Sequence, residues 1–225
     1  MPRFTTERVS PDSNALRVTW LQCLAAYRWA AALAAGAAVL DVGCGEGYGT
    51  AELARVARLA VGLDLDRPTL ARAHARYPGP RRAWAAGQAE ALPFADATFE
   101  LVCCFQVLEH LPDPDRFLRE AHRVLTPGGR LLLTTPNPAA VLSGLNPHHQ
   151  REYDAATLRA LLASVFPQVE LLGIYGSPRA LAYRARNRAL VTRLLALDRL
   201  GLRGRLPRPL VARLHAWGTL AVRGL

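Results

Sequence analysis

The chain has 225 residues, 51% hydrophobic and 20% charged, which excludes a disordered or coiled-coil protein and fits one compact domain with embellishments. A net charge of +10 alone would suggest nucleic acid or an anionic membrane as partner. However, residues 1–175 hold 17 Arg against 17 acidic residues, and residues 176–225 hold 11 Arg against Asp198 alone, so the excess lies in the tail.

Every basic residue is arginine and lysine is absent, a pattern that codon bias in a GC-rich genome produces, so the arginines are weak evidence for phosphate recognition. Met1–Pro11 is polar, and the apolar stretch Leu24–Leu40 is interrupted by Arg28 and Gly36, so neither a signal peptide nor a membrane span is expected. Cys23, Cys44 and the adjacent pair Cys103 and Cys104 offer no disulfide framework and no metal-ligand spacing, which implies a reduced, cytoplasmic setting.

Asn14–Ala35 reads as a helix, with Leu16, Trp20, Leu24 and Tyr27 recurring at helical spacing, and Gly36 ends it. Ala37–Val42 is a short apolar strand that runs into glycines at 43, 45, 47 and 49, after which Thr50–Ala57 reads as a helix. Leu59–Leu63 repeats the strand pattern and ends in Asp64-Leu65-Asp66, and Pro68 opens a helix to about Tyr77. Arg82–Ala86 is a third strand, and the continuous apolar run Phe99–Phe105 suits the centre of a sheet covered on both faces. A helix over Asp113–Val124, a turn at Pro127-Gly128-Gly129 and a buried strand over Arg130–Thr135 follow. Asp154 caps a helix over Ala155–Val165, and Val169–Ile174 is a further strand. Strands alternate with helices throughout, which predicts an α/β fold: a Rossmann-like, mostly parallel sheet with helices on both faces. An N-terminal helical segment (1–36), a core (37–175) and a basic helical extension (176–225) are the expected divisions.

In open parallel sheets a ligand binds beyond the carboxyl ends of the strands, where a glycine turn lets it approach backbone amides. Here the spacing is G-x-G-x-G, with Tyr48 where the dinucleotide fingerprint needs its third glycine, so a pyrophosphate cofactor is disfavoured. Asp64, 21 residues beyond Gly43 at the end of the second strand, is placed to accept hydrogen bonds from ribose hydroxyls. The pocket therefore expects a nucleoside.

The run Val39-Leu-Asp-Val-Gly-Cys-Gly-Glu-Gly-Tyr-Gly49 with Val61-Gly-Leu-Asp64 resembles the class I S-adenosylmethionine-dependent methyltransferases. Gln88–Phe94, Phe99–Val102, Val107–Leu111 and Val124–Arg130 match, in order, the subgroup called methyltransferase type 11, and the resemblance covers roughly residues 37–175. Phe4–Arg8 with Pro11, and Asn146–Tyr153, are similar to segments in members of sugar and lipid-glycan pathways.

The resemblance implies S-adenosylmethionine as cofactor and methyl transfer to a small-molecule acceptor, such as a hydroxyl of a glycan, lipid-linked, phenolic or quinone compound. It implies that Asp41 orients the methionine amino group, that Gly43, Gly45 and Gly47 bring backbone to the cofactor, and that Asp64 holds the ribose. Leu65 would pack on adenine, Gln88 and Ala89 would meet its edge, and Phe105 would border the methionine moiety. A related quinone O-methyltransferase group holds a divalent cation with E-x-x-E-H. The first position here is Gln106, so no metal is expected.

His110 and His148 are the candidate general bases, since neutral imidazole accepts protons near pH 7. Glu109-His110 reads equally as a helix-terminus pair, and His148 and His149 as solvated residues of a proline-flanked loop. Trp20 and Trp84 read as packing residues. In the tail, Leu190, Leu194 and Leu197, and again Leu210, Leu214 and Trp217, fall on one helical face. Two readings of the tail stand: helices packed on the core, or a surface for anionic membrane or an acidic substrate. It lacks interleaved aromatics, which argues against nucleic acid. A closing strand is weakly indicated at Gly218–Val222. The alternative to an enzyme is a cofactor-binding scaffold without transfer activity.

Overall fold

The computed structural model describes residues 17–138, 149–178, 181, 182, 185, 186 and 189. The tail helices, Gly218–Val222, Phe4–Pro11, Asn146 and His148 lie outside the described residues. Five strands, β1 (Ala38–Val42), β2 (Leu59–Asp64), β3 (Arg82–Ala86), β4 (Phe99–Phe105) and β5 (Leu125–Thr134), form one sheet in the order β3-β2-β1-β4-β5, and every pairing is parallel. Between and around them lie α1 (Arg17–Leu33), α2 (Tyr48–Leu53), α3 (Arg67–Arg76), α4 (Pro114–Val124) and α5 (Ala155–Ala163).

Successive side chains of a strand point to opposite faces, so each strand feeds two cores. On one face Val39, Leu101, Cys103 and Phe105 meet Ala26, Tyr27 and Ala30 of α1 and Leu53 of α2. On the other, Leu40, Val42, Val102 and Cys104 meet Phe117, Leu118, Ala121 and Val124 of α4 and Leu162 of α5. Burying Phe117 completely is worth roughly 2–3 kcal/mol on transfer scales. Asp113 caps α4 by accepting from the Arg116 amide at 2.9 Å, and Asp154 caps α5 by accepting from the Thr157 amide at 2.7 Å.

Three expectations are corrected. The middle of the described sheet is β1, buried along its whole length although it carries Asp41, with β4, buried except at Glu100, beside it. β5 starts at Leu125 rather than Arg130: the chain pairs Phe99 with Leu125, slips at the Pro127-Gly128-Gly129 segment, and pairs again from Leu101 with Arg130. A two-glycine turn sequence thus serves as a bulge within a strand, and β5, an edge among the described residues, is only half-buried. Val169–Ile174 pairs with no strand among the described residues. Val169 and Leu171 pack on the core, but the Val169 carbonyl accepts from Arg159 of α5 at 2.9 Å instead of joining a ladder.

No helix among the described residues is long and apolar enough to cross a membrane.

Candidate active site

β1 and β2 run side by side with Val42 opposite Leu63, so the turn after β1 sits directly beside the end of β2. The amides of Gly43 and Cys44 both donate to the Leu63 carbonyl, at 2.8 and 3.0 Å, which pins the turn there. The chain then leaves through left-handed backbone at Gly43, Gly45 and Gly47, with φ of 71°, 51° and 79°. At two of these positions space is also lacking: a Cβ on Gly43 would enter Val107, and one on Gly47 would enter Trp84 and Ala73. The turn at the start of α2 is therefore bare of side chains at three alternate positions, with Cys44 buried and Glu46 paired with Arg72 between them.

Asp64 binds this turn to the next one. Its Oδ2 accepts from the Gly45 amide at 2.9 Å and its Oδ1 from the Asp66 amide at 2.9 Å. Each carboxylate oxygen keeps a second lone pair, which is the capacity a pair of hydroxyls requires. Leu65, next in the chain, is 69% exposed. Opposite, Asp64 pairs with Ala86, and the Gly87 amide donates to the Asp64 carbonyl, so Gln88 and Ala89 follow immediately beyond β3. Gln88 is exposed and Ala89 buried. The structure thus brings Gly43, Gly45, Gly47, Asp64, Leu65, Gln88 and Ala89 together at the carboxyl ends of three adjacent strands.

Asp41 stands behind the turn and not in it. It is fully buried; its Oδ1 accepts from the Tyr27 hydroxyl at 3.0 Å and its Oδ2 from Thr50 Oγ1 at 2.6 Å. Both oxygens thus tie α1 and α2 to the end of β1, directly behind the turn. Burial is the main cause that pushes this carboxyl up to about 7, opposed by the two hydroxyls. The Tyr27 ring covers Gly49, where a Cβ would collide with it, and lies edge-on to Phe105 with centroids 4.7 Å apart. Tyr48 stacks edge-on against the same ring at 5.6 Å and against Trp20 at 6.5 Å. Phe105, at the carboxyl end of β4, is accordingly one wall of an aromatic cluster.

Beyond β4 the chain turns through Gln106, a residue with φ of 60°, left-handed despite its side chain. Its amide donates to the Thr134 carbonyl at 2.8 Å and its side-chain amide to Thr134 Oγ1 at 3.2 Å, which tie it to β5. The short 3-10 helix Leu108–His110 follows and buries Glu109, 1% exposed. Glu109 Oε2 accepts from Thr135 Oγ1 at 3.0 Å, and burial pushes this carboxyl up. The Glu109 carbonyl accepts from the amides of Gln150 and Arg151, at 2.8 and 3.3 Å. These bonds bring His149 to His110, with ring centroids 5.0 Å apart, while His149 Nδ1 lies 3.1 Å from Glu152 Oε1. His110 thus belongs to a three-residue group with Glu109 and His149; His148 is outside the described residues.

Sequence reasoning did not assign roles to Tyr27, Thr50 or His149. A phenol on the apolar face of α1 was the available sign for Tyr27, and the i, i+3 spacing of His149 and Glu152 the sign for the histidine.

The cradle fits an adenosine-type group: glycines keep side chains off the turn, Asp64 offers lone pairs to hydroxyls, and Leu65 presents an exposed apolar face. Residues 40–133 match the family described as "Methyltransferase domain". A "probable S-adenosylmethionine-dependent methyltransferase" of Mycolicibacterium smegmatis is 45% identical over 154 residues, covering 66% of this chain and 59% of that protein. One of Mycobacterium tuberculosis, described in the same words, is 37% identical over 189 residues, covering 82% of this chain and 68% of that protein. The chain therefore spans about 60% to 70% of the length of these relatives. Among solved structures, a proposed methyltransferase of Bacillus halodurans superimposes with a TM-score of 0.56 at 30% identity, over 63% of this chain and 67% of that one.

Proposed function

The chain belongs to the class I S-adenosylmethionine-dependent methyltransferases, and from that premise we propose that it transfers a methyl group to a small-molecule acceptor bearing a hydroxyl. The observation that supports this most is the Gly45–Asp64 hydrogen bond, which holds a carboxylate with spare lone pairs against a glycine-rich turn. Asp64 accepts from the ribose hydroxyls, Leu65 packs on adenine, Gln88 and Ala89 meet its edge, and the Gly43–Gly47 backbone approaches the rest of the cofactor. Asp41 acts from behind, fixing α1 and α2 against the turn through Tyr27 and Thr50.

When bound, the cofactor supplies a methyl group on a sulfonium, an already activated leaving group. The protein's work is alignment and exclusion of water, and positioning of this kind contributes roughly 7–11 kcal/mol. Phe105, Tyr27 and Tyr48 supply an apolar wall at the end of β4. The acceptor is assigned to the β4 side, where Val107 touches the space in front of Gly43 and Glu109, His110 and His149 gather. Handling of the acceptor's hydroxyl proton falls to that group. Glycans, lipid-linked compounds and phenols are the acceptor classes this reading favours.

Calorimetric titration with S-adenosylmethionine and S-adenosylhomocysteine tests the proposal, followed by an acceptor screen across those classes with S-adenosylhomocysteine release as readout. Micromolar binding and turnover on one class are expected. Absence of binding by folded protein would overturn the cofactor site; binding without turnover on any class would leave a scaffold that holds cofactor.

A further inference from the structure

At the outer flank of the sheet, Leu70, Ala71 and His74 of α3 and Arg82, Ala83 and Trp84 of β3 line an open cavity of about 380 Å3. β3 is the end of the strand order among the described residues, so the cavity lies at the edge of the sheet. Its three β3 residues are the first of the strand, whereas the cradle assigned to the cofactor gathers at the carboxyl ends. Trp84 and Ala73 stand between the two, since a Cβ on Gly47 would enter both.

Arg82 gives the cavity its chemistry. Nη1 donates to the Pro78 carbonyl at 2.6 Å, which anchors the guanidinium, while Nε is buried without a hydrogen-bond partner. A cationic donor left in that state is costly. Nε and Nη2 form the edge with which arginine grips a carboxylate through two parallel bonds, and a small rotation about the Pro78 anchor turns that edge to the cavity. Residues 67–89 hold five arginines and no acidic residue, so no neighbour in the chain competes for Arg82. Arg72, by contrast, is taken by Glu46 at 2.9 Å. Leu70, Ala71 and Trp84 supply apolar lining, and His74 a second polar group.

We propose that this cavity binds a small organic acid, a carboxylate carried on a flat apolar body, with the carboxylate on Nε and Nη2 of Arg82 and the body against Leu70 and Trp84. Apolar walls with one or two placed polar groups, in a volume of this order, are what such ligands occupy. A bare inorganic anion leaves the walls unused, and a neutral ring leaves the Arg82 fork unsatisfied, so the site requires both halves. Binding here does not rest on the methyl-transfer reading.

The test uses the full chain saturated with S-adenosylhomocysteine, so that the cofactor cradle is occupied. It is titrated with sodium cinnamate, with cinnamyl alcohol and with sodium phosphate, while the N–H resonances of Arg82 Nε and Trp84 Nε1 are followed by NMR. Saturable cinnamate binding with a Kd on the order of 1 mM, at least tenfold tighter than either other probe, is expected together with a shift of the Arg82 Nε–H signal. Arg82→Met is expected to weaken cinnamate binding at least tenfold, and Ala71→Leu, which fills the cavity, at least fivefold. Thermal midpoints and S-adenosylhomocysteine affinity check the fold of both variants; should Arg82→Met fail to fold, the wild-type Arg82 resonance and Ala71→Leu decide. No saturable cinnamate binding by the folded wild type, an unmoved Arg82 signal at saturation, undiminished binding by folded Arg82→Met, or equal binding of the alcohol or of phosphate would overturn the proposal. If S-adenosylhomocysteine does not bind, the same titration of the unliganded chain reads the cavity alone, which separates failure of the cofactor reading from failure of this one.

Discussion

The Gly45 amide donates to the Asp64 carboxylate at 2.9 Å, so the turn after β1 and the end of β2 are joined through the atom group that the proposed cofactor also uses. Asp64→Ala removes both functions. S-adenosylhomocysteine affinity is expected to fall on the order of 10–100-fold, the equivalent of losing a hydrogen bond to a charged group, as read by calorimetry. Asp64→Asn keeps an acceptor oxygen and should lose less.

Gly45 and Gly47 separate backbone strain from crowding. Both are left-handed, but a Cβ on Gly45 meets open space while one on Gly47 enters Trp84 and Ala73. Gly45→Ala is expected to cost roughly 1 kcal/mol of stability, and Gly47→Ala about 2–4 kcal/mol, from urea denaturation midpoints. Equal costs would show that Trp84 yields.

Asp41 gives the protein a pH dependence of unusual sign for a carboxylate. The folded group holds its proton up to about pH 7, while in the unfolded chain it releases it near 3.8. Between these values the unfolded state binds fewer protons, so this group's contribution, complete below pH 4, is lost as pH rises toward 7. The loss is on the order of 4 kcal/mol across the window at about 1.4 kcal/mol per pH unit. Asp41→Asn should abolish that slope in denaturation midpoints measured from pH 4.5 to 7.5, and Tyr27→Phe, which removes a hydroxyl that favours the ionised carboxylate, should destabilise by about 1–2 kcal/mol and more at the alkaline end of that range.

Arg123 of α4 fastens the segment that follows Ala89. Its guanidinium donates to the carbonyls of Leu92 and Phe94, at 3.0 and 2.8 Å, and to Asp96 and Glu120, while Glu120 accepts from the Leu92 amide at 2.8 Å. Arg123→Met leaves two carbonyls and two carboxylates without this donor and is expected to lower stability by about 1–3 kcal/mol. Hydrogen exchange should show the effect concentrated at residues 92–96.

Much of the fold was legible because local and global signals agree. Arg82–Ala86 and Phe99–Phe105 form strands with the boundaries their apolar runs indicate, and Pro114 and Asp113 mark the start of α4 as their residue types require. The glycine turn and Asp64 were readable because their chemistry is carried by backbone shape and one acid. Legibility ended where meaning depends on partners distant in the chain. Pro127-Gly128-Gly129 carries turn residues yet lies within β5, since the ladder with β4 pairs the chain on either side of it, at Leu125 and from Arg130. Asp41 carries the composition of a ligand-binding acid, but Tyr27, fourteen residues earlier, encloses it. His149 acquires its neighbours only through hydrogen bonds to Glu109, forty residues away in sequence, which no periodicity encodes.

The position of β1 in the order β3-β2-β1-β4-β5 has an engineering consequence. The groups assigned to the donor hang from the β2 and β3 flank, and those assigned to the acceptor from the β4 and β5 flank, with the glycine turn as the seam. On that proposed assignment the groups for the cofactor's nucleoside end and those for the acceptor lie on separate stretches of chain. A chimera joined between Ala91 and Thr98 could exchange one without the other, provided the Val107 side chain that abuts Gly43 travels with a turn it fits.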